Sequence, residues 1–335
     1  MKTTPNEPGV RLHVCMASNN AYVQHLCVTI ASVLKNTTAP LAFHILHADI
    51  SDASCNLIGS LFLRPDCSVE FLRMDKAVFG DSAPGGGHAA AEPFFRLAIA
   101  DMKPDLKKAI YLDSDLVVLK DLAELWGMDT GGCYAGVVED LMSFKNKKRK
   151  DAFERGRYFN SGVMLLNLER IRQDFRTSTF LELAGRNRDW IRYYEQDVVN
   201  MAFKNNVIFL PLRWNLSSGY FRKTPVLPCR TKEEMRDALG DPGIVHYTGP
   251  DKPWVIPCGI AAHPLAHEYF RHLAMTPFAG QAAAIRKRFG VWRRLCIFVW
   301  FWWRHPGFFL RPAYWRNRQG RLFGNSAQNK DNGVS

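Results

Sequence analysis

Asp113 and Asp115 stand two residues apart directly after the apolar run AIYL. An extended backbone alternates its side chains, so positions i and i+2 point to one side of a sheet edge. Two carboxylates converging there suit a hard divalent cation such as Mn²⁺ or Mg²⁺. A D-x-D arises about once by chance in a chain of this size, so its place after a buried strand carries more weight than its spacing. The alternative is a solvated turn in which Asp115 caps the next segment. His246 ends the apolar run GIVHY and is followed by Gly249, Lys252 and Trp254 in a Pro-bearing loop. Its imidazole could complete a metal shell with the two aspartates, and Lys252 could neutralise a phosphate held there. A lone histidine is more often a satisfied core residue, and only the accompanying loop and lysine single this one out. Asn160 in FNSG and the run Glu195, Gln196, Asp197 complete the set. Read alone, Ser161 and Gly162 form a turn and the acidic residues favour a helix N-terminus, by about 0.3 to 1 kcal/mol.

The elements that must position these residues alternate from the start. Strands are predicted at 10–16, 41–48 and 68–74, with helices at 22–35 and 52–63 between them. This β-α-β-α-β series marks an α/β fold with a mostly parallel sheet covered by helices. Ligands of such sheets bind beyond the carboxyl ends of the strands, where Asp113 and His246 fall. Residues 75–93 read as a loop; its GGGHAA follows no strand and makes a poor dinucleotide fingerprint. A helix at 92–102, a strand broken at the two aspartates, a strand at 162–168, helices at 177–186 and 195–204, and a strand at 207–210 follow. No internal repeat and no linker interrupts the chain before about 280.

The 335 residues are 47% hydrophobic and 23% charged, which excludes a disordered chain and permits a core covering about three quarters of the unfolded surface. The net charge of +12 is concentrated: residues 269–335 hold twelve Lys/Arg and one Asp, whereas the remainder is near neutral. Eight cysteines without a C-x-x-C pair argue for reduced, buried thiols rather than zinc or a disulfide framework. The N-terminus has no signal-peptide stretch and no run reaches the roughly 20 apolar residues that span a bilayer, so a cytoplasmic protein is expected. Residues 281–323 interleave arginines with Trp, Phe and Tyr around the nine-residue run LCIFVWFWW. Such a segment suits the membrane interface, with about 1 kcal/mol of attraction per arginine near anionic headgroups. A peripheral anchor on the inner leaflet is expected, in preference to packing on the body or to nucleic-acid binding. The chain thus divides at 280, into a catalytic domain (1–280) and a basic aromatic helical C-terminal tail (281–335).

Six ordered segments, ASNNAYVQHLCV (17–28), FFRLAI (94–99), YLDSDLVV (111–118), FNSGVMLLNL (159–168), EQDVVN (195–200) and HYTGPDKPW (246–254), resemble glycosyltransferase family 8. The likeness is greatest to bacterial galactosyl- and glucosyltransferases that build lipopolysaccharide or lipooligosaccharide cores, and it runs over most of residues 10–270. It implies a GT-A type, Rossmann-like nucleotide-sugar-binding fold with a mixed, mostly parallel sheet, and retaining transfer from a UDP-hexose with Mn²⁺ to a lipid-linked oligosaccharide. By motif position, Asp113, Asp115 and His246 would ligate the metal, with Ser114 lining the donor site between them. Gly249 and Lys252 would hold the diphosphate. Tyr22 would stack on uracil, with Ala17 and Asn19 reading its edge. Arg96, Asn160, Glu195 and Gln196 would surround the sugar. Asn19 and Glu195 depart from the pattern, standing where relatives commonly carry Asp.

Departure of UDP places negative charge on the β-phosphate and leaves an oxocarbenium-like sugar, so stabilisation is expected chiefly from Mn²⁺ and Lys252. If the acceptor hydroxyl attacks the face that UDP leaves, no strong protein nucleophile is required and Gln196 positions the sugar. A double displacement through Glu195 or Asp197 is the other route. Two rival functions share the residues: a haloacid-dehalogenase-type phosphohydrolase with Asp113 as nucleophile, and a non-enzymatic membrane-surface adaptor with structural carboxylates.

Overall fold

The structure is a computed structural model that describes residues 9–80, 91–140, 158–221, 231–249, 252–255, 263, 265–281 and 299. The GGGHAA segment and, apart from positions 281 and 299, the basic aromatic tail lie outside the described residues.

Seven strands build the main sheet: β1 (Leu12–Ala17), β2 (Leu41–His47), β3 (Cys67–Arg73), β4 (Lys108–Leu112), β6 (Ala135–Glu139), β7 (Phe159–Asn167) and β8 (Val207–Phe209). Three more, β5 (Leu116–Val118), β9 (Leu216–Ser217) and β10 (Ile244–His246), form a small second sheet. The main sheet runs β3-β2-β1-β4-β7-β6-β8. Its pairs are parallel except where β7 lies antiparallel to β4 and to β6. In the small sheet β10 is central, antiparallel to β5 and parallel to β9. The expected mixed, mostly parallel sheet is therefore present. Every position of β2 is buried, as a strand covered on both faces requires.

The helix Val23–Asn36 crosses from β1 to β2 and buries all of Val23 to Val33 except Gln24. It also completes the short strand β5. Thr29 Oγ1 donates to the Leu116 carbonyl at 2.8 Å, Val118 N donates to Ser32 Oγ at 2.8 Å, and Asn36 Nδ2 donates to the Val118 carbonyl at 2.9 Å. A three-residue strand buried with unpaired backbone groups would be costly. These side chains satisfy it and thereby fix the segment immediately after Asp115.

Several expectations shift. The helix predicted at 92–102 is a 3-10 segment, Glu92–Ala98, that turns α-helical only at Ile99–Met102. The Pro93 carbonyl, which an α-helix would pair with Leu97 N, accepts from Arg96 Nε at 2.9 Å. FNSG is not a turn: it opens β7. Strand β6, five consecutive buried residues, was not anticipated. Of the eight cysteines, Cys15, Cys27, Cys55, Cys67 and Cys133 are described and free, the first two buried and the other three half-buried.

Candidate active site

Strand β4 belongs to the main sheet and β5 to the small one, so residues 113–115 carry the chain between them. They form a bend and not the extended segment expected from their spacing. The bend is pinned at three points. Asp113 N donates to the Gly162 carbonyl at 2.8 Å, and Tyr247 N donates to the Asp115 carbonyl at 2.9 Å. Ser114 Oγ donates to the Ala17 carbonyl at the end of β1, at 3.0 Å. The bend still turns both carboxylates to one side, where His246 meets them from the end of β10.

His246 Nε2 lies 3.0 Å from Asp115 Oδ1 and 3.6 Å from Asp113 Oδ2. One ligand atom from each of the three residues falls within 4.8 Å of the others. The Nδ1 side of the ring, 2.9 Å from Asn215 Oδ1, holds the imidazole in orientation. With its proton on Nδ1, the ring directs the Nε2 lone pair at two carboxylates. Three such donors repel one another unless positive charge lies among them, and two carboxylates with one imidazole suit a Mn²⁺-like ion. The residues therefore fit the metal that the motif implies.

Cations of the chain also approach this centre. Lys252 Nζ contacts Asp115 Oδ2 and donates to the Tyr247 carbonyl at 3.0 Å. Burial works against the Asp115 carboxylate, but Lys252 holds it well below the usual carboxyl range. Burial likewise disfavours charged Lys252, and Asp115 more than offsets it, so the amine stays above its ordinary value. Arg96 is buried beneath the aspartates with its face over the Tyr111 ring at 4.5 Å. Its Nη2 bonds Asp113 Oδ1 at 2.8 Å and Glu195 Oε1 at 3.0 Å, and its Nη1 bonds the Ser161 carbonyl and hydroxyl at 2.8 and 3.1 Å. The guanidinium is thus a hub joining Asp113 to Glu195.

Behind that hub lies a polar layer. Glu195 is 6% exposed and accepts from Ser161 Oγ at 3.2 Å as well as from Arg96. Burial, reinforced by Asp113 and opposed by Arg96, pushes its carboxyl up to about 7. Gln196 Oε1 accepts from Asn160 Nδ2 at 3.0 Å and Ser161 N at 3.2 Å, while Nε2 donates to Asp140 Oδ2 at 2.8 Å and Tyr158 OH at 3.1 Å. All four positions of that amide are taken, which fixes its orientation. Asn215 Nδ2 donates to Asn160 Oδ1 at 2.8 Å. A continuous relay thereby runs from His246 through Asn215 and Asn160 to Gln196. Asp197 lies one step further in: it is fully buried, accepts the Tyr158 hydroxyl to which Gln196 donates, and accepts Arg192 N at 2.7 Å and Tyr193 N at 2.9 Å. It secures the entry to the helix Tyr194–Phe203, whose first turn also carries Glu195.

In front of the bend opens a cleft of about 310 Å³ lined by Ala17, Asn19, Tyr22, Arg96, Asp113, Ser114 and Asp115, together with Ser18, Glu92, Pro93 and Tyr111. Its size is that of a small-molecule site. Asn19 caps the turn Asn20–Tyr22, its Oδ1 accepting from Tyr22 N at 3.1 Å. Gly249 has φ +75°, a left-handed turn residue before Lys252. Asn215, Tyr111 and Ser161 were not singled out from sequence. Asn215 stands beside Arg213 in the mixed segment PLRWNL, and nothing local links it to residue 246.

The family model described as Glycosyl transferase family 8 matches residues 13–256. The chain belongs to glycosyltransferase family 8. Like it are General stress protein A of Bacillus subtilis (strain 168), 26% identical over 275 residues that cover 79% of this chain and 94% of that protein, and Lipopolysaccharide 1,2-glucosyltransferase of Escherichia coli (strain K12), 27% identical over 249 residues that cover 72% of each. The crystal structure of galactosyltransferase LgtC in complex with donor and acceptor sugar analogs superposes with a TM-score of 0.68 at 26% identity, covering 79% of this chain and 96% of that one. The fold of this glycosyltransferase is accordingly of the GT-A type, and its family membership sets aside the phosphohydrolase reading of Asp113.

Proposed function

We propose that this family 8 glycosyltransferase is a retaining hexosyltransferase that moves galactose or glucose from a UDP-hexose to a lipopolysaccharide or lipooligosaccharide core acceptor, with Mn²⁺. The observation that carries the reading is the meeting of Asp113, Asp115 and His246, the two aspartates lining the cleft and Lys252 in contact with Asp115. The glucosyltransferase relative and the galactosyltransferase of like fold support a neutral hexose and a bacterial glycan acceptor.

Asp113, Asp115 and His246 would hold the ion, which when bound supplies positive charge to the departing diphosphate. Lys252 would exchange its contact with Asp115 for a phosphate oxygen, a short move for a side chain already at the centre. Tyr22, Ala17 and Asn19 would receive the uracil ring, and Gly249 would let the loop approach the phosphates. Arg96 would hold Asp113 and Glu195 together, its charge offsetting their mutual repulsion. Glu195, Asn160 and Gln196 would form the sugar wall. An amide whose four hydrogen-bonding positions are engaged favours positioning, so the acceptor hydroxyl would attack the face that UDP leaves and pass its proton to a phosphate oxygen. Glu195 is the carboxylate available to a double displacement, and the burial of Asp197 speaks against its use in one.

Among the described residues no helix is long and apolar enough to cross a membrane. The basic, aromatic composition of 281–323 supports peripheral attachment to an anionic inner leaflet from the cytoplasm, beside a lipid-linked acceptor. The test of the activity is a screen of UDP-hexoses for Mn²⁺-dependent hydrolysis without acceptor. One donor turned over well above the others supports the reading, and no turnover of any UDP-hexose would remove it.

A further inference from the structure

The loop bearing Lys252 is fastened to the body by Trp254. The indole stacks on His25 with ring centroids 3.8 Å apart and planes inclined by 21°, and leans on Tyr269 at 4.8 Å. Lys252 Nζ lies over the same indole, 5.4 Å from its centroid, where the ring quadrupole attracts a cation. His25 belongs to the helix after β1, and Tyr269 to the helix Ala266–Leu273. His25 Nδ1 is 2.7 Å from the Tyr269 hydroxyl, to which Gln24 Nε2 donates at 3.1 Å. With Gln24 donating, the hydroxyl proton is directed at Nδ1. Burial brings His25 down to about 4, so a neutral ring meets the indole and no charge is desolvated in the stack. The same imidazole meets Tyr22 edge-on at 4.9 Å.

These contacts tie the Lys252 loop to the cleft residue Tyr22. Tyr22 lines the cleft beside Asp113 and Asp115, while Lys252 arrives from a loop held only a few residues beyond the metal-ligand candidate His246. A lysine tethered to a mobile loop loses much conformational freedom on binding a phosphate; one whose loop is already held loses less.

We infer that Trp254, stacked on His25 and beneath the Lys252 amine, is a positioning residue that presents Lys252 to the donor diphosphate. This rests on the reading of Lys252 as a diphosphate ligand. The role is distinct from core packing because it acts through Lys252; Trp254 meets Tyr22 only edge-on at 6.3 Å, so its loss should weigh on phosphate far more than on the base.

The test measures calorimetric binding of UDP and of uridine, each with Mn²⁺, to the full chain and to Trp254→Ala, Trp254→Phe, Lys252→Met and the double variant Trp254→Ala/Lys252→Met. Trp254→Ala is expected to weaken UDP by about tenfold or more and uridine by less than about twofold. Trp254→Phe should recover most of the UDP loss. On the Lys252→Met background, Trp254→Ala should cost nothing further, since coupled residues are non-additive. Should Trp254→Ala not fold, Trp254→Leu, which keeps bulk and removes the ring face beneath the amine, takes its place in the same cycle with the same expectations. Equal losses for UDP and uridine, or additive losses in the double variant, overturn the clasp. If wild type binds no UDP, or Lys252→Met binds it normally, the donor reading itself fails and takes the clasp with it. If Lys252→Met weakens UDP and Trp254→Ala does not, the clasp alone fails.

Discussion

A β-carbon on Gly162 would stand 2.2 Å from Cε1 of His246 and 2.5 Å from Oδ2 of Asp113. The imidazole therefore reaches the aspartates across a strand position that admits no side chain, and β7 contributes to the centre by what it lacks. The Gly162 carbonyl also takes the Asp113 amide, so one residue sets the backbone of the first aspartate and the space for the histidine.

Gly162→Ala should push His246 out of register with Asp113 and Asp115. Overpacking of this kind costs about 1 to 3 kcal/mol, and a displacement near 1 Å at a reacting centre costs about a hundredfold in rate. Thermal unfolding and Mn²⁺-dependent UDP-hexose hydrolysis read the two effects. A variant as active as wild type would show that His246 need not occupy this place.

Asp113→Asn keeps the shape of the side chain and removes its charge, while Arg96 retains Glu195 as a partner. The fold should persist and turnover should fall by about a thousandfold or more, as expected when charge is lost beside a developing anion. Wild type should gain about 2.7 kcal/mol of stability from UDP and Mn²⁺ at a hundred times the dissociation constant, and the variant should lose that gain. Normal turnover by the variant would disprove the metal assignment.

Glu195 supplies a pH signature. Its carboxyl rises from 4.5 to about 7 on folding, chiefly through burial, so between these values the native state holds a proton that the unfolded chain has released. Stability from this group is complete below pH 4.5 and is lost as pH rises through 7. Between pH 5 and 8 in metal-free buffer, wild type should lose more stability than Glu195→Gln, by more than about 1 kcal/mol. Denaturant titrations at the two pH values provide the comparison, and parallel changes would mean that Glu195 is ionised throughout.

Removal of residues 281–335 should abolish binding to vesicles containing anionic lipid while leaving hydrolysis of a UDP-hexose intact. Neutral vesicles should bind the full chain much less, because the arginines contribute through headgroup charge. Cosedimentation of both forms provides the measurement; equal partitioning would dismiss the anchor.

Much of the frame was legible from local pattern. The strand and helix after residue 10, the strands β2 and β3, and the helices Thr177–Arg186 and Tyr194–Phe203 all follow from apolar periodicity, which reports which face of each element is buried. The break of AIYL at Asp113 likewise marked where a buried strand stops. Tertiary contact overrode local pattern at FNSG, which looks like a turn and is held as the start of β7 between β4 and β6. It did so again at 92–102, where the first turns are 3-10 and Arg96 Nε takes the Pro93 carbonyl that an α-helix would offer to Leu97 N.

What the chain's order of residues determined by itself was the succession of elements and the identity of the candidate metal and phosphate groups. Only the folded chain decided which of them meet. Asp197 sits in the same run as Glu195 and Gln196, yet the Tyr158 hydroxyl and two backbone amides draw it out of the site. Asn215, without any local mark, orients His246 and continues the relay to Asn160. Periodicity carries information over one or two turns of backbone, whereas His246 and Asp115 are separated by 131 positions. Their contact follows from the antiparallel pairing of β10 with β5, which sets His246 opposite Leu116 and is a property of the packed chain and not of any segment of it.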